Sequence, residues 1–301
     1  MVGGNCAVID TNVRSLALIG QGISENLYCA VILIKTILNG IFMNPEVNEA
    51  LRKIRQKKPF ILTITNYFPM GYVASGIRSI GGFPIMCNAE QELEELLKIT
   101  GSVVINVGKL DDSFIKLCNH ICKMAKKLNV PIILDPVGAG ASRYRTDAII
   151  SLIKNHRISI LRGYPNEIAS ILTGELAIQD NTHFIDEKII IENTKLLSKK
   201  YDMTIVVSGK RHIVIDSHQM TQFNFDSDLV QKVAGIGNLL SGIISSFHSV
   251  IKDPFLAAKN SVHFYAECVG PTSSTAGGPA SLIIEVIDKM YINAIKAQLF
   301  T

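Results

Sequence analysis

A chain of 301 residues, 48% hydrophobic and 19% charged, is long enough for one large α/β domain and only marginally long enough for two small ones. Its net charge of +4 is spread along the length, with no basic block longer than "RQKK" and few aromatics, which excludes a nucleic-acid footprint and points to small-molecule partners. The six cysteines (Cys6, Cys29, Cys87, Cys118, Cys122, Cys268) form no CxxC pair and lack a histidine at zinc spacing, so they read as reduced thiols, with Cys118 and Cys122 packed into a core from one helix face.

In chain order, the first feature is "LYCAVILIKTILNGIFM" (27–43), which Lys35 and Asn39 interrupt. A membrane span wants about 18 to 20 clean apolar residues. No basic segment directly precedes this one and no small-residue cleavage site follows it, so it reads as a soluble helix or a variable extension, with a targeting role left open. The expectation is a cytoplasmic protein with no membrane partner. From Pro59 onward, short β-branched runs alternate with amphipathic segments, the pattern of parallel strands joined by helices. Strands are predicted at "FILTIT", "SVVINVG", "VPIILD", "ISILR", "MTIVVSG" and "HIVID". Helices are predicted at "EQELEELLKIT", "DSFIKLCNHICKMAKKLN", "TDAIISLIKN" and "EKIIIENTKLLSKKY". After "KVAGIGNLLSG" the pattern changes to consecutive helices with no strand between them: "NLLSGIISSF", "DPFLAAKNSVHFYAECVG" and "PASLIIEVIDKMYINAI".

In an open parallel sheet the ligand lies beyond the carboxyl ends of the strands. The residues there are Asn66, Asn106, Gly108, Asp135, Arg162 with Glu167 shortly after, and Ser208-Gly209; Asn238 opens the helix after the glycine loop. Asp135 can cap the following segment or bind Mg²⁺, which takes one or two carboxylates and keeps waters and phosphates as its other ligands. Glu167 can complement a helix dipole or join that site, and Arg162 is a fork suited to phosphate. No GxxxxGK[ST] loop is present, so a nucleotide needs another cradle, and Gly235-Ile236-Gly237 before a helix is the candidate. A lone GxG is weak evidence, since glycine turns are common punctuation. The scattered histidines form no relay, and no GxSxG elbow follows a strand.

Taken together and in order, "TITN", "GGFPIM", "VINVGKL", "PIILDPVGAGASRYR", "ILRGYPNEI", "VVSGK", "KVAGIGNLLSG" and "GGPAS" resemble hydroxyethylthiazole kinase, of the ribokinase-like group, over roughly residues 47–292. The resemblance implies an α/β ribokinase-like fold: a mostly parallel central sheet flanked by helices, with a C-terminal helical stretch. It divides the chain into an N-terminal extension of uncertain role (1–45) and a single kinase domain (46–301). It also implies transfer of the γ-phosphoryl of ATP, with Mg²⁺, to the hydroxyl of 4-methyl-5-(2-hydroxyethyl)thiazole in thiamine salvage. By position, Met86, Asn66 and Gly235 match thiazole contacts, Asp135 and Glu167 the acidic pair associated with Mg²⁺, and Arg162 and Ser208 nucleotide-phosphate contacts. Gly235 also matches the anion-hole glycine, with Gly237 and Asn238 beside it in the catalytic loop. A homotrimer with sites between neighbouring subunits is implied as well.

Two departures bear on the chemistry. Where the family typically reads TGTGC, this chain has Ala234-Gly235-Ile236-Gly237-Asn238, and where it typically reads RGNxxE, this chain has "RGYPNE". An asparagine cannot take a proton, but its carbonyl can accept the hydrogen bond of the attacking hydroxyl, and a largely dissociative phosphoryl transfer demands little early deprotonation. The expectation is a working but slow kinase. Two alternatives are a thiazole- or nucleotide-binding relative without turnover, and a ribokinase-like enzyme acting on another small alcohol.

Overall fold

The computed structural model describes residues 44–65, 67–176, 186–209, 211–224 and 227–299. The apolar segment 27–43 and Asn66 lie outside the described residues. Eight strands form one sheet in the order β2-β1-β3-β4-β5-β6-β7-β8: β1 (Phe60–Ile64), β2 (Phe83–Met86), β3 (Thr100–Asn106), β4 (Ile132–Asp135), β5 (Ile160–Gly163), β6 (Thr204–Val207), β7 (Arg211–Ile215) and β8 (Met220–Asn224). Pairing is parallel from β2 across to β6, then antiparallel for β6-β7 and β7-β8. "HIVID" is therefore a strand of opposite direction to those before it. Only residues 208–210 separate β6 from β7, and a parallel return needs a crossover of a dozen or more residues.

Alternate residues of the parallel strands serve two cores. Leu62, Ile64, Val103, Ile105, Ile132, Leu134, Leu161 and Ile205 pack on one face. The helices covering it are α3 (Leu93–Ile99), α4 (Asp112–Leu128), α5 (Arg143–Asn155), α6 (Pro165–Thr173) and α7 (Glu187–Tyr201). Cys118 and Cys122 are buried free thiols on α4 within this core, as their spacing predicts. Ile61 and Val104 point to the opposite face and meet Val73 and Ile77 of α2 (Tyr67–Ser79). That face also carries α9 (Ile236–His248), which follows the short α8 (Asp228–Gln231) and packs on α2, β3 and α10 (Pro254–Ser273). Around them lie α1 (Pro45–Lys57) and α11 (Pro279–Leu299). A parallel sheet needs cover on both faces, which is why its strands read as continuous apolar runs.

The helix α9 is the centre of this arrangement. From Ile236 to His248 every residue except Asn238 is buried. Its amino end therefore sits at a fixed height against the sheet, and Asn238 is the residue of its first turns that keeps partial access. Three consecutive helices, α9 to α11, close the chain with no strand between them, as the sequence pattern predicts. Among the described residues no helix is long and apolar enough to cross a membrane.

Candidate active site

The carboxyl ends of β3 to β6 place the polar residues in one cluster. Asn106 and Asp135 end adjacent strands in register, Arg162 lies in β5, and Ser208 follows β6. Asp135 is fully buried and Arg162 is 2% exposed. A buried carboxylate is costly unless hydrogen-bonded and paired, and Asp135 is both. Its Oδ2 accepts from Ser241 Oγ at 2.8 Å, Asn238 Nδ2 at 3.0 Å and Asn106 Nδ2 at 3.5 Å. Its Oδ1 faces Arg162 Nη1 at 3.5 Å and accepts no hydrogen bond.

This settles the orientation of Asn238. An ionised carboxylate can only accept, so the amide turns its NH₂ toward Asp135, and the carbonyl Oδ1 is left as the acceptor end. Ser241, three residues further along α9, reaches the same carboxylate oxygen. The sequence reading passed over Ser241; the three-residue spacing from Asn238, which puts both on one helix face, was the signal that could have found it.

Arg162 is held on several sides. Nε donates to Ser208 Oγ at 3.0 Å, and the guanidinium carbon lies 4.6 Å from the Tyr164 ring centroid. Burial opposes its charge, but the neighbouring Tyr164 and Asp135 outweigh burial and raise its pKa. The guanidinium rests against the first turn of α9 so closely that a Cβ on Gly237 would come within 2.4 Å of its terminal nitrogens. Gly237 is thus a glycine of close approach. Gly235 is a glycine of conformation: at φ +87° it is left-handed, which turns the chain into α9, and a Cβ there would stand 3.4 Å from Pro69. The loop therefore joins the cluster on β4 and β5 to the start of α2. At this start the Ile236 N–H bonds the carbonyl of Val233 at 3.4 Å, while the first turn offers its other N–H groups and the positive end of the helix dipole.

Glu167 lies on α6 just beyond Tyr164. Its two oxygens accept from the backbone N–H groups of Gly138 and Tyr164, both at 2.8 Å. It ties the glycine turn after β4 to the start of α6, as a capping residue would. Burial, with the Asp135 charge adding, pushes its pKa up to about 7. Among the described residues no group of three or more His, Cys, Asp or Glu gathers to hold a metal, so a zinc-type centre is not built there. Mg²⁺ needs fewer protein ligands. The Asp135 oxygen without a hydrogen bond, beside a second carboxylate that burial disfavours in its charged form, fits a divalent cation with waters and phosphate oxygens as its other ligands.

Met86 is not drawn into this cluster. Met86 ends β2 opposite Thr63 and packs against the core of α2. It is three strand steps from β4, roughly 14 Å at the usual spacing. Beyond α2's first residues the surface is open and aromatic: Tyr67 is 74% and Phe68 69% exposed. A separate cavity of about 540 Å³ is lined by Asn119, Lys123, Lys126, Lys127, Asn155 and His156. It lies at the carboxyl ends of α4 and α5, away from the strand ends that carry Asp135, and its lysines complement a helix terminus.

Comparison with known proteins identifies the family. The model of the family "HK: Hydroxyethylthiazole kinase family" matches residues 51–295. A hydroxyethylthiazole kinase of Chlamydia caviae is 32% identical over 256 residues, covering 83% of this chain and 95% of its own. The structure of a hydroxyethylthiazole kinase protein from Pyrococcus horikoshii superposes with a TM-score of 0.75 at 26% identity, covering 83% of this chain and 95% of that one. At the level of fold alone, a ribokinase-like superfamily protein from Enterococcus faecalis superposes with a TM-score of 0.62 at 12% identity, over 83% of this chain and 94% of its own. The chain therefore belongs to the hydroxyethylthiazole kinase family, phosphotransferases of ribokinase-like fold.

Proposed function

We propose that residues 46–301 form one kinase domain that transfers the γ-phosphoryl of ATP to the hydroxyl of hydroxyethylthiazole, as thiamine salvage requires, in the cytoplasm and as a homotrimer. The observation that carries this reading is the Asp135–Asn238–Arg162 cluster at the amino end of α9, where a carboxylate, an amide carbonyl and a guanidinium meet a helix terminus. Asp135 and Glu167 would hold Mg²⁺, which neutralises charge on the phosphate oxygens when bound. Arg162, oriented by Ser208, meets phosphate oxygens, and the N–H groups of Gly235, Gly237 and Asn238 stabilise negative charge on the transferring group. The Oδ1 of Asn238 accepts the hydrogen bond of the alcohol and holds its oxygen in line. The new O–P bond forms as the bond to ADP breaks, and the alcohol proton leaves late, to water.

The acceptor half of the site rests on less of this chain. Met86 and Asn66 are assigned to the thiazole by family position. The distance of Met86 from Asp135 and the exposed Tyr67 and Phe68 support a pocket completed by a neighbouring subunit. The test is formation of thiazole phosphate from ATP by the purified protein, run beside thermal shifts with the thiazole alcohol and with nucleotide, and with a panel of other small alcohols. Product from the thiazole alcohol supports the reading. Stabilisation without product, or preferred turnover of another alcohol, overturns it.

A further inference from the structure

Arg162 is assigned above to the nucleotide phosphates, yet in the structure solvent does not reach it. Its guanidinium is closed in by Asp135, by Ser208 and by the backbone at Gly237. Buried His212 and Tyr265 also neighbour the cation, and one face carries the Tyr164 ring, 4.6 Å from the guanidinium carbon. Arg162 is 2% exposed whereas Tyr164 is 43% exposed, so the ring lies between the cation and water. An anion cannot approach through the negative face of an aromatic ring, and a cation already stacked on that face gains by staying. The Tyr164 backbone is pinned by Pro165 on one side and by the N–H bond to Glu167. The side chain, 43% exposed, reaches Arg162 with its hydroxyl as well as its ring, so uncovering the cation breaks both contacts.

We propose that Tyr164 is a removable cover over Arg162 that sets the affinity for nucleotide: the guanidinium meets phosphate oxygens only after the ring has left its face. The inference rests on the reading of Arg162 as a phosphate contact. A site that is competent only when uncovered binds more weakly by the fraction of time it is open. Removing the ring therefore tightens nucleotide binding, and the stack is of a kind worth roughly three- to tenfold.

The chain contains no tryptophan, so Tyr164→Trp makes the cover its only indole emitter. With Mg·ADP added to saturation, the account predicts red-shifted emission and stronger acrylamide quenching as the indole enters water. In parallel, Tyr164→Asn and Tyr164→Ala should lower the KM for ATP about three- to tenfold, with kcat changed less than about twofold. Tyr164→Phe, which keeps the stack but loses the hydroxyl's contact with Arg162, should shift KM less than Tyr164→Ala does. Unchanged emission at saturation, or a raised KM in Tyr164→Asn and Tyr164→Ala, overturns the cover. The phosphate reading is checked separately with Arg162→Lys, which keeps a positive charge beside Asp135 but loses the fork. Wild-type nucleotide affinity in that variant removes the phosphate reading and the cover with it. Weakened affinity together with an unmoved indole removes the cover alone.

Discussion

The two halves of the site are built in opposite ways. At the carboxyl ends of β4 and β5 the polar side chains are buried and bonded to one another: Asp135 takes three hydrogen bonds on one oxygen, and Arg162 is stacked, tethered and walled by Gly237. At the β1-β2 edge, Met86 is only partly buried and the aromatic side chains of Tyr67 and Phe68 stand in solvent. A group that handles phosphate charge has to be fixed before the reaction, because preorganised dipoles are worth more than ones that must reorient. The half proposed to receive an apolar ring carries no such demand within one chain. Rigidity here follows the charge, and the open edge is where an additional surface has room to act.

The contrast is broken most strongly at Gly237. Gly237→Ala puts a methyl where the Arg162 guanidinium lies, and should lower kcat/KM about a hundredfold or more while costing only about 1–3 kcal/mol of stability. Steady-state kinetics beside urea melts separate the two; an intact kcat/KM would mean that Arg162 does not need its place. Glu167 gives the next largest effect, in stability. The unfolded chain loses this proton near pH 4.5, whereas the folded protein keeps it until about pH 7, so stability falls as pH rises across that window, by roughly 3 kcal/mol in all. Glu167→Gln should remove the slope, and millimolar Mg²⁺ should flatten it in the wild type, both read from melts at several pH values. On the open side, if the proposed trimer forms there, Tyr67→Asp with Phe68→Asp should leave the chain monomeric in sedimentation and reduce turnover about tenfold or more, since charges are excluded from the cores of such interfaces. Full activity in a monomeric variant would show that one chain suffices.

The smallest expected change is at Asn238, where the structure adds a cost that the sequence does not display. Asn238→Asp supplies a base, which alone would raise kcat, but it sets a second carboxylate about 3.0 Å from Asp135, and two such groups cannot both ionise freely. Asn238→Cys places a neutral thiol there; because the Asp135 charge and burial raise its pKa, kcat should rise only as pH climbs beyond about 8.5. A flat pH profile in Asn238→Cys would show that proton removal does not limit turnover.

Much of the buried polar cluster, proposed to handle phosphate, was legible from the chain. Asp135, Arg162, Ser208 and Asn106 each terminate or follow an apolar run, and parallel strands bring such ends to one edge. Less could be read where local patterns are weak. Residues 67–79 form α2 although "YFPMGYVASGIRS" carries a proline and two glycines, and their helix is held by packing of Val73, Gly76 and Ile77 under α9 and the sheet. The strand β8, "MTQFN", is a partly exposed edge without the apolar run of a buried strand. What no spacing discloses is direction: that the Asn238 amide turns its NH₂ to Asp135, that Ser208 faces Arg162, and that Tyr164 lies over the guanidinium are consequences of tertiary packing.

The central claim is that the buried carboxylate at the end of β4 organises phosphoryl transfer. Mg²⁺-dependent formation of thiazole phosphate from ATP, measured for the wild type and for Asp135→Ala after both are shown to be folded, tests it most directly. The account predicts product from the wild type and a loss of more than about a thousandfold in the variant; comparable turnover by the two proteins would contradict it.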